Sequence, residues 1–297
     1  MTYAIEPVAE LNNICGEGPT WDRARQRVLW TDNETDKVYQ LDLKTGKPSL
    51  FHQGVPTGGI AINKTGYILA GKTGFHLYRD ANDIKTIATE HDGVPLSFND
   101  IAAGPTGGVY AGTMYWGDNG MQQTGSLYLF NPDGTIRIVE EGIQLANGIA
   151  FSVDGATMYF ADSAARKIYA YDVEPATGDL SNARTFADIP RDDGLVDGIT
   201  VDGEGFVWAA MWYGGQIIRF DADGKVERRI PMPVKQVSSL IFGGDNYTDL
   251  YVTTAGASWP SDMAPDGYDF NAPNIGGSLY RIRMDIQGKP DYIAAFE

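Results

Sequence analysis

Glu17, Asn99, Asn147 and Asp197 each open a copy of one short phrase, and oxygen donors repeated at one position can hold a hard cation. The six copies read Glu17-Gly18-Pro19-Thr20-Trp21-Asp22, Gly58-Gly59-Ile60-Ala61-Ile62-Asn63, Asn99-Asp100-Ile101-Ala102-Ala103-Gly104, Asn147-Gly148-Ile149-Ala150-Phe151-Ser152, Asp197-Gly198-Ile199-Thr200-Val201-Asp202 and Ser239-Leu240-Ile241-Phe242-Gly243. Two carboxylates brought together without a partner repel each other and retain a proton. A divalent cation removes that cost, and amide oxygens complete its shell. An oxygen-only set suits Ca²⁺, Mg²⁺ or Mn²⁺, whereas a conventional zinc site draws on His and Cys. His52, His76 and His91 all fall away from the phrase and are expected to be neither ligands nor catalytic bases. Asn and Asp also cap turns, but that role does not account for Glu17, a poor turn residue.

Such a ring of donors needs elements that repeat around an axis. After each phrase comes a second apolar run: Val28-Leu29-Trp30, Tyr67-Ile68-Leu69, Val109-Tyr110, Met158-Tyr159-Phe160, Val207-Trp208 and Leu250-Tyr251-Val252. A third run alternates apolar and polar residues, as in Lys37-Val38-Tyr39-Gln40-Leu41-Asp42 and Lys167-Ile168-Tyr169-Ala170-Tyr171-Asp172. Period-two alternation rich in aromatic and β-branched residues reads as half-buried strands, and Asp133-Gly134 and Asp223-Gly224 read as tight turns. Repeats of roughly 40–50 residues with about four strands each indicate an all-β, six-bladed β-propeller of antiparallel strands around a central metal-binding channel. Ser49-Leu50-Phe51 and Thr185-Phe186-Ala187 are candidates for the less visible fourth strand. The segments Ala4–Val8 and Tyr292–Phe296 are expected to pair within the last blade and close the ring. Residues 1–297 are read as one domain, because a propeller grows by adding blades around one axis.

The charge balance narrows the partners. Lys and Arg total 23 against 39 acids, a net charge of −16 without any basic run, which argues against nucleic acid and anionic membranes. That acidity either keeps the protein soluble or helps hold a divalent cation. Cys15 is the single cysteine, so no intrachain disulfide is possible. The start, Met1-Thr2-Tyr3-Ala4-Ile5-Glu6, has no basic region followed by an apolar stretch, and no window approaches the ~18 apolar residues of a span. A cytoplasmic location is expected. Two insertions, 114–124 and 257–276, fall between the second and third strands of blades three and six and should shape a binding mouth.

Glu17-Gly18-Pro19-Thr20-Trp21 resembles the opening motif of the senescence marker protein/gluconolactonase family, which includes regucalcin and the luciferin-regenerating enzyme. The similarity continues through Phe98-Asn99-Asp100, Gly112-Thr113-Met114, Gly125-Ser126-Leu127-Tyr128, Ala146-Asn147-Gly148, Asp162-Ser163, Asp197-Gly198 and Phe242-Gly243-Gly244, in order over nearly the whole chain. The resemblance implies a six-bladed propeller with one divalent metal held by Glu17, Asn147 and Asp197. Ca²⁺ is the leading ion, with Mg²⁺, Mn²⁺, Fe²⁺ and Zn²⁺ as the others such a site could take. It also implies hydrolysis of sugar-acid lactones, with Asp197 as a base near the metal and Asn99 facing the substrate, bound to the metal directly or through water.

The chain departs from that pattern at two places. Ser97 stands where such lactonases often carry an arginine against substrate oxygens, and Val196 stands where proline often precedes the aspartate. Losing a guanidinium weakens the case for a polyhydroxylated or charged substrate. Tyr115, Trp116, Trp212, Tyr213 and Trp259 follow strands leading toward the long insertions, either packing between blades or lining the mouth. Ser97, Asn99, Tyr115, Trp116 and Trp212 are the expected substrate-binding residues, for a lactone less polar than gluconolactone or one bound partly by stacking. A metal at this position could equally polarise a phosphotriester, and a propeller can also bind calcium or a protein without turnover.

Overall fold

The computed structural model describes residues 3–117, 120–259, 261–273 and 275–297. Met1, Thr2, Asp118, Asn119, Pro260 and Asn274 lie outside the described residues, the last four within the two insertions. Each sequence repeat becomes one four-stranded antiparallel sheet. Blade 1 consists of Gly16–Asp22, Arg27–Asp32, Lys37–Asp42 and Lys47–Gln53, and blade 2 of Gly59–Asn63, Gly66–Gly71, Gly74–Asp80 and Asp83–Ala88. Blade 3 joins Phe98–Ala103, Val109–Thr113, Gly125–Phe130 and Ile136–Ile143, and blade 4 joins Ala146–Phe151, Thr157–Asp162, Lys167–Val173 and Leu180–Asp188. Blade 5 is built from Leu195–Val201, Val207–Trp212, Gln216–Phe220 and Val226–Pro231. Blade 6 takes three strands from the end of the chain, Val237–Gly243, Asp249–Thr254 and Ser278–Arg283, and its fourth, Ile5–Glu10, from the start.

Six sheets form a ring because each buries a face against its neighbour. The aromatic residues seen in the second and third runs fill those seams. Phe75 of blade 2 stacks on Phe130 of blade 3 at 4.1 Å, and Trp208 of blade 5 meets Phe242 of blade 6 edge-on at 5.7 Å. Trp21 of blade 1 stacks on Tyr251 of blade 6 at 6.4 Å, so the ring is closed by apolar contact as well as by strand pairing. Trp30 and Trp208 are wholly buried. Among the described residues no helix is long and apolar enough to cross a membrane. The sole helical element described is a turn of 3₁₀ helix at Arg191–Asp193.

Closure follows the expectation at one terminus and departs from it at the other. The N-terminal strand pairs with Ser278–Arg283, placing Glu6 opposite Arg281. Tyr292–Phe296 does not pair within blade 6, whose outer edge that strand already occupies. The C-terminal segment instead crosses the propeller. Gln287 accepts a hydrogen bond from Gly203 of blade 5, Ala295 donates to Gly107 of blade 3, and Ala294 donates to Ile62 of blade 2. Phe296 finishes in the aromatic seam between blades 2 and 3, 5.5 Å from Phe75, with its backbone bonded at both N and O to the side chain of Asn63. Phe296, like Ala294 before it, is buried there, as apolar side chains favour. Phe296→Ala is expected to lower unfolding stability by about 3 kcal/mol in urea titrations while leaving the content of β-strand unchanged. Unaltered stability would mean that the tail rests on the ring without clasping it.

Candidate active site

The first residue of each phrase lies within three residues of the start of the innermost strand of its blade, Gly58 just before it, so all six sit at the same end of the channel. The glycine that often follows is explained by crowding there. Gly18 has φ +51° and its side-chain direction is closed by the carbonyl of Gly58 on the next blade. A Cβ on Gly198 would collide with Ser239, the ring residue of blade 6. Any larger residue would push the inner strands apart and spread the donors.

Glu17 and Asp197 come together at this end, on blades that are not neighbours. Burial pushes both carboxyls well above the ordinary carboxylate range, with repulsion from Asp100 adding to Glu17 and repulsion from Glu17 and Asp100 adding to Asp197. Glu17 Oε2 also accepts a hydrogen bond from the Gly18 amide at 3.1 Å. Asp197 is 5% exposed. Glu17 and Asn99 are half-buried.

The amides are aimed by the groups around them. Asn147 Nδ2 donates to Ser163 Oγ at 2.8 Å, and Ser163 in turn donates to the carbonyl of Val196. That chain fixes the amide of Asn147 with its oxygen turned toward Asn99, whose Nδ2 donates to it at 2.8 Å. Asn99 Nδ2 also donates to the Ala146 carbonyl at 2.8 Å, so both of its N–H groups are engaged and its oxygen is left for the funnel. A second device sets the strand entries. Asp32 accepts hydrogen bonds from the amides of Ile14 and Cys15, just before Glu17, and Asp162 accepts from Gln144 and Leu145, just before Asn147. Parallel positions in the sequence, Thr31-Asp32 and Ala161-Asp162, are the signal that could have revealed this pinning.

Below the ring, a narrow cavity of about 80 Å³ follows the axis. Asp100 borders it, its carboxyl pushed up to about 7 by burial, with Oδ1 accepting from the Ile101 amide at 2.7 Å. The crossing tail supplies Lys289, Asp291 and Tyr292 as its floor. Asp100 went unassigned at the sequence level although it stands where four other phrases have glycine (Gly18, Gly59, Gly148 and Gly198). Cys15 is buried behind Glu17, and burial together with the nearby carboxylates lifts its thiol, which makes it an unreactive wall residue. The histidines stay out of the funnel: His76, for example, lies between the hydroxyls of Thr73 and Thr86.

The proposed substrate residues divide into two groups. On one side the insertion after Thr113 forms a small hairpin, Tyr115–Gly117 against Gly120–Gln123. It is anchored to the Ser97 strand entry by Met114 N to Ser97 O at 2.9 Å and by Tyr115 Oη to Pro95 O at 2.8 Å. Trp116, paired with Met121, is 42% exposed. On the other side Trp212 stacks on Trp259 at 5.9 Å and 15°, while buried Tyr213 donates to the Trp259 carbonyl. Arg166 and Arg191 hold the 261–266 stretch against blades 4 and 5 through the carbonyls of Met263 and Asp262. Tyr213 therefore belongs to the scaffold, and the Trp212–Trp259 pair forms the apolar face.

Comparison with known proteins places these features in context. Residues 15–256 match the family model described as SMP-30/gluconolactonase/LRE-like region. The chain is 34% identical over 292 residues to pentonolactonase XacC of Haloferax volcanii, covering 97% of each chain. It is 32% identical to regucalcin of Xenopus laevis, covering 94% of this chain and 93% of that one. A solved structure described as a calcium-binding protein, regucalcin, from Agrobacterium tumefaciens superposes with a TM-score of 0.86 at 26% identity, covering 99% of this chain and 98% of that chain.

Proposed function

The chain belongs to the SMP-30/gluconolactonase/LRE-like family, and from that premise we propose that it is a metal-dependent lactonase that opens a sugar-acid or related lactone to its hydroxy acid. The observation that carries this reading is the buried Glu17–Asp197 carboxyl pair at the mouth of the channel. A relative named for pentonolactone hydrolysis supports the reaction class, and one described as calcium-binding supports the cation.

The donor set fits a hard divalent ion. Among the described residues no three His, Cys, Asp or Glu side chains converge, so two carboxylates need the amide oxygen of Asn147 to complete a site. Burial and repulsion favour a retained proton on this pair, and a cation would take its place. A cation held by Glu17, Asn147 and Asp197, with Ca²⁺ the first candidate, would supply Lewis-acid polarisation of the lactone carbonyl. Asp197 accepts a proton from the attacking water as its oxygen bonds to the carbonyl carbon. The ring C–O bond then breaks, and the departing ring oxygen takes a proton back, leaving carboxylic acid and alcohol in one molecule. Asn99 presents its free oxygen to a substrate hydroxyl or to the ion. The hairpin of Tyr115 and Trp116 and the half-buried Trp212 confine the ring from two sides.

Acid release from a panel of lactones, sugar-derived and apolar, tests the reading on chelator-stripped protein with each divalent ion restored in turn. Metal-dependent turnover is expected, and hydrolysis of phosphotriesters alone would replace the reading with its organophosphate alternative. Metal binding with neither activity would leave a propeller that only binds. Ser97 addresses specificity: Ser97→Arg restores a bidentate donor and is expected to raise kcat/KM for sugar-acid lactones by about tenfold relative to apolar ones. An equal change for both classes would remove Ser97 from the substrate-binding set.

A further inference from the structure

Four of the six ring positions share a device that spans two blades. The carbonyl one residue before the ring residue accepts a hydrogen bond from a side chain of the preceding blade. Ser238 Oγ of blade 6 donates to Gly16 O, next to Glu17, and Thr31 Oγ1 of blade 1 donates to Thr57 O, next to Gly58, at 2.6 Å. Asn99 Nδ2 of blade 3 donates to Ala146 O, next to Asn147, and Ser163 Oγ of blade 4 donates to Val196 O, next to Asp197. Each latch ties the start of one inner strand to the blade before it. Thr31, Ser163 and Ser238 are at most 1% exposed, so water does not compete for these bonds.

Of the three hydroxyls, Ser163 also meets the amide of a candidate ligand. A carbonyl only accepts, so the Ser163 proton points at Val196 O and its oxygen is left to accept. Asn147 must then turn Nδ2 toward Ser163, at 2.8 Å, and Oδ1 away from it. That oxygen takes one N–H of Asn99 at 2.8 Å, and Ala146 O takes the other. The row Val196, Ser163, Asn147, Asn99, Ala146 thus ends on a backbone carbonyl at both sides, and a single orientation of the two amides satisfies it. An amide oxygen has two lone pairs, so Asn147 keeps one for a cation. We propose that Ser163 is a positioning residue of the cation site: anchored on the Val196 carbonyl, it makes Asn147 present its oxygen and not its NH2 group to the ion. Without that hydroxyl the amide is free to turn over, and the flipped form sets a donor against the cation. The same hydroxyl couples Asn147 to the strand that carries Asp197, since it bridges blades 4 and 5. This rests on the cation assignment of the proposed function and not on the lactone chemistry.

Titration calorimetry of Ca²⁺ into the chelator-stripped full chain at pH 8 tests the assignment in a double-mutant cycle. Ser163→Ala is expected to raise the Kd by about 10–100-fold, the usual loss when the group behind a metal ligand is removed. Asn147→Asp makes the two side-chain oxygens equivalent, so aiming no longer matters. In that background Ser163→Ala should change the Kd by no more than about twofold, the scatter of an uncoupled pair. A hydroxyl needed only for packing or blade contact would weaken binding by the same factor in both backgrounds, and that result overturns the proposal. An unchanged Kd for Ser163→Ala with Asn147 in place overturns it too. Ser163→Cys keeps the volume and offers only a weak donor, so it carries the same cycle if Ser163→Ala does not fold. A parent that binds no divalent ion would remove the cation assignment and this proposal together. Where the parent binds Ca²⁺ but fails the lactone panel, the cycle still decides the role of Ser163, so the two readings fail separately.

Discussion

Asp197→Ala lowers kcat/KM for the preferred lactone by at least about 10³-fold, and Glu17→Gln does the same, with loss of divalent-metal binding in both. The size follows from what each residue does. Removing a group that merely orients a metal ligand costs about 10–100-fold, so removing a ligand that is also the proposed base costs more. A second readout separates this role from a structural one. Asp197 is buried, repelled by Glu17 and Asp100, and held above its ordinary range. Taking it away therefore relieves the metal-free protein, and Asp197→Ala should melt above the metal-free parent at pH 8. A residue needed for packing would behave in the opposite way. Full activity in both variants would mean that the site lies elsewhere.

The second large effect is a pH trend that reverses with metal. Burial lifts Glu17, Asp100 and Asp197 in the folded protein, Asp100 to about 7, whereas the unfolded chain releases those protons near the ordinary carboxylate range. Where the folded state binds more protons than the unfolded state, stability falls as pH rises. The contribution is fully present below the unfolded values and is lost progressively as pH climbs through the folded ones, by on the order of a few kcal/mol. Metal-free protein should therefore have a lower Tm at pH 8 than at pH 5. A divalent ion needs the carboxylates ionised, so it displaces protons and binds more tightly at higher pH. Saturating Ca²⁺ is expected to raise Tm by at least about 5 °C at pH 8 and by much less at pH 5. The net charge of −16 adds repulsion at high pH too, but Asp197→Ala keeps nearly all of it and should lose the metal-dependent gain. A metal effect larger at pH 5 would contradict the assignment of the carboxyl pair.

Some elements of this architecture were readable along the chain and others were not. The alternation of Lys37–Asp42 marks a strand with one face in and one face out, and the structure places that strand third in its blade. Even the faint fourth strands at Ser49–Phe51 and Thr185–Ala187 were visible as short runs. Asp100 was given no role along the chain, because only the folded ring places it in one cavity with the tail residues Lys289, Asp291 and Tyr292. The insertion 114–124 read as irregular, yet part of it pairs as a hairpin whose strands are only three and four residues long. Tyr213 was grouped with the mouth aromatics. It is buried beneath Trp259, an arrangement set by a loop some 46 residues away.

By itself the sequence determined the six blades and the identity of the residues at the rim of the channel. Side-chain direction in a strand is a local property with a period of two, and a repeat carries equivalent residues to equivalent places. Only the tertiary structure decided which of those residues face one another. Glu17 meets Asp197, Trp212 meets Trp259, and Phe296 crosses to Phe75 instead of staying in blade 6. Those meetings depend on the closure of the ring and on loops whose paths are set by burial across long stretches of chain.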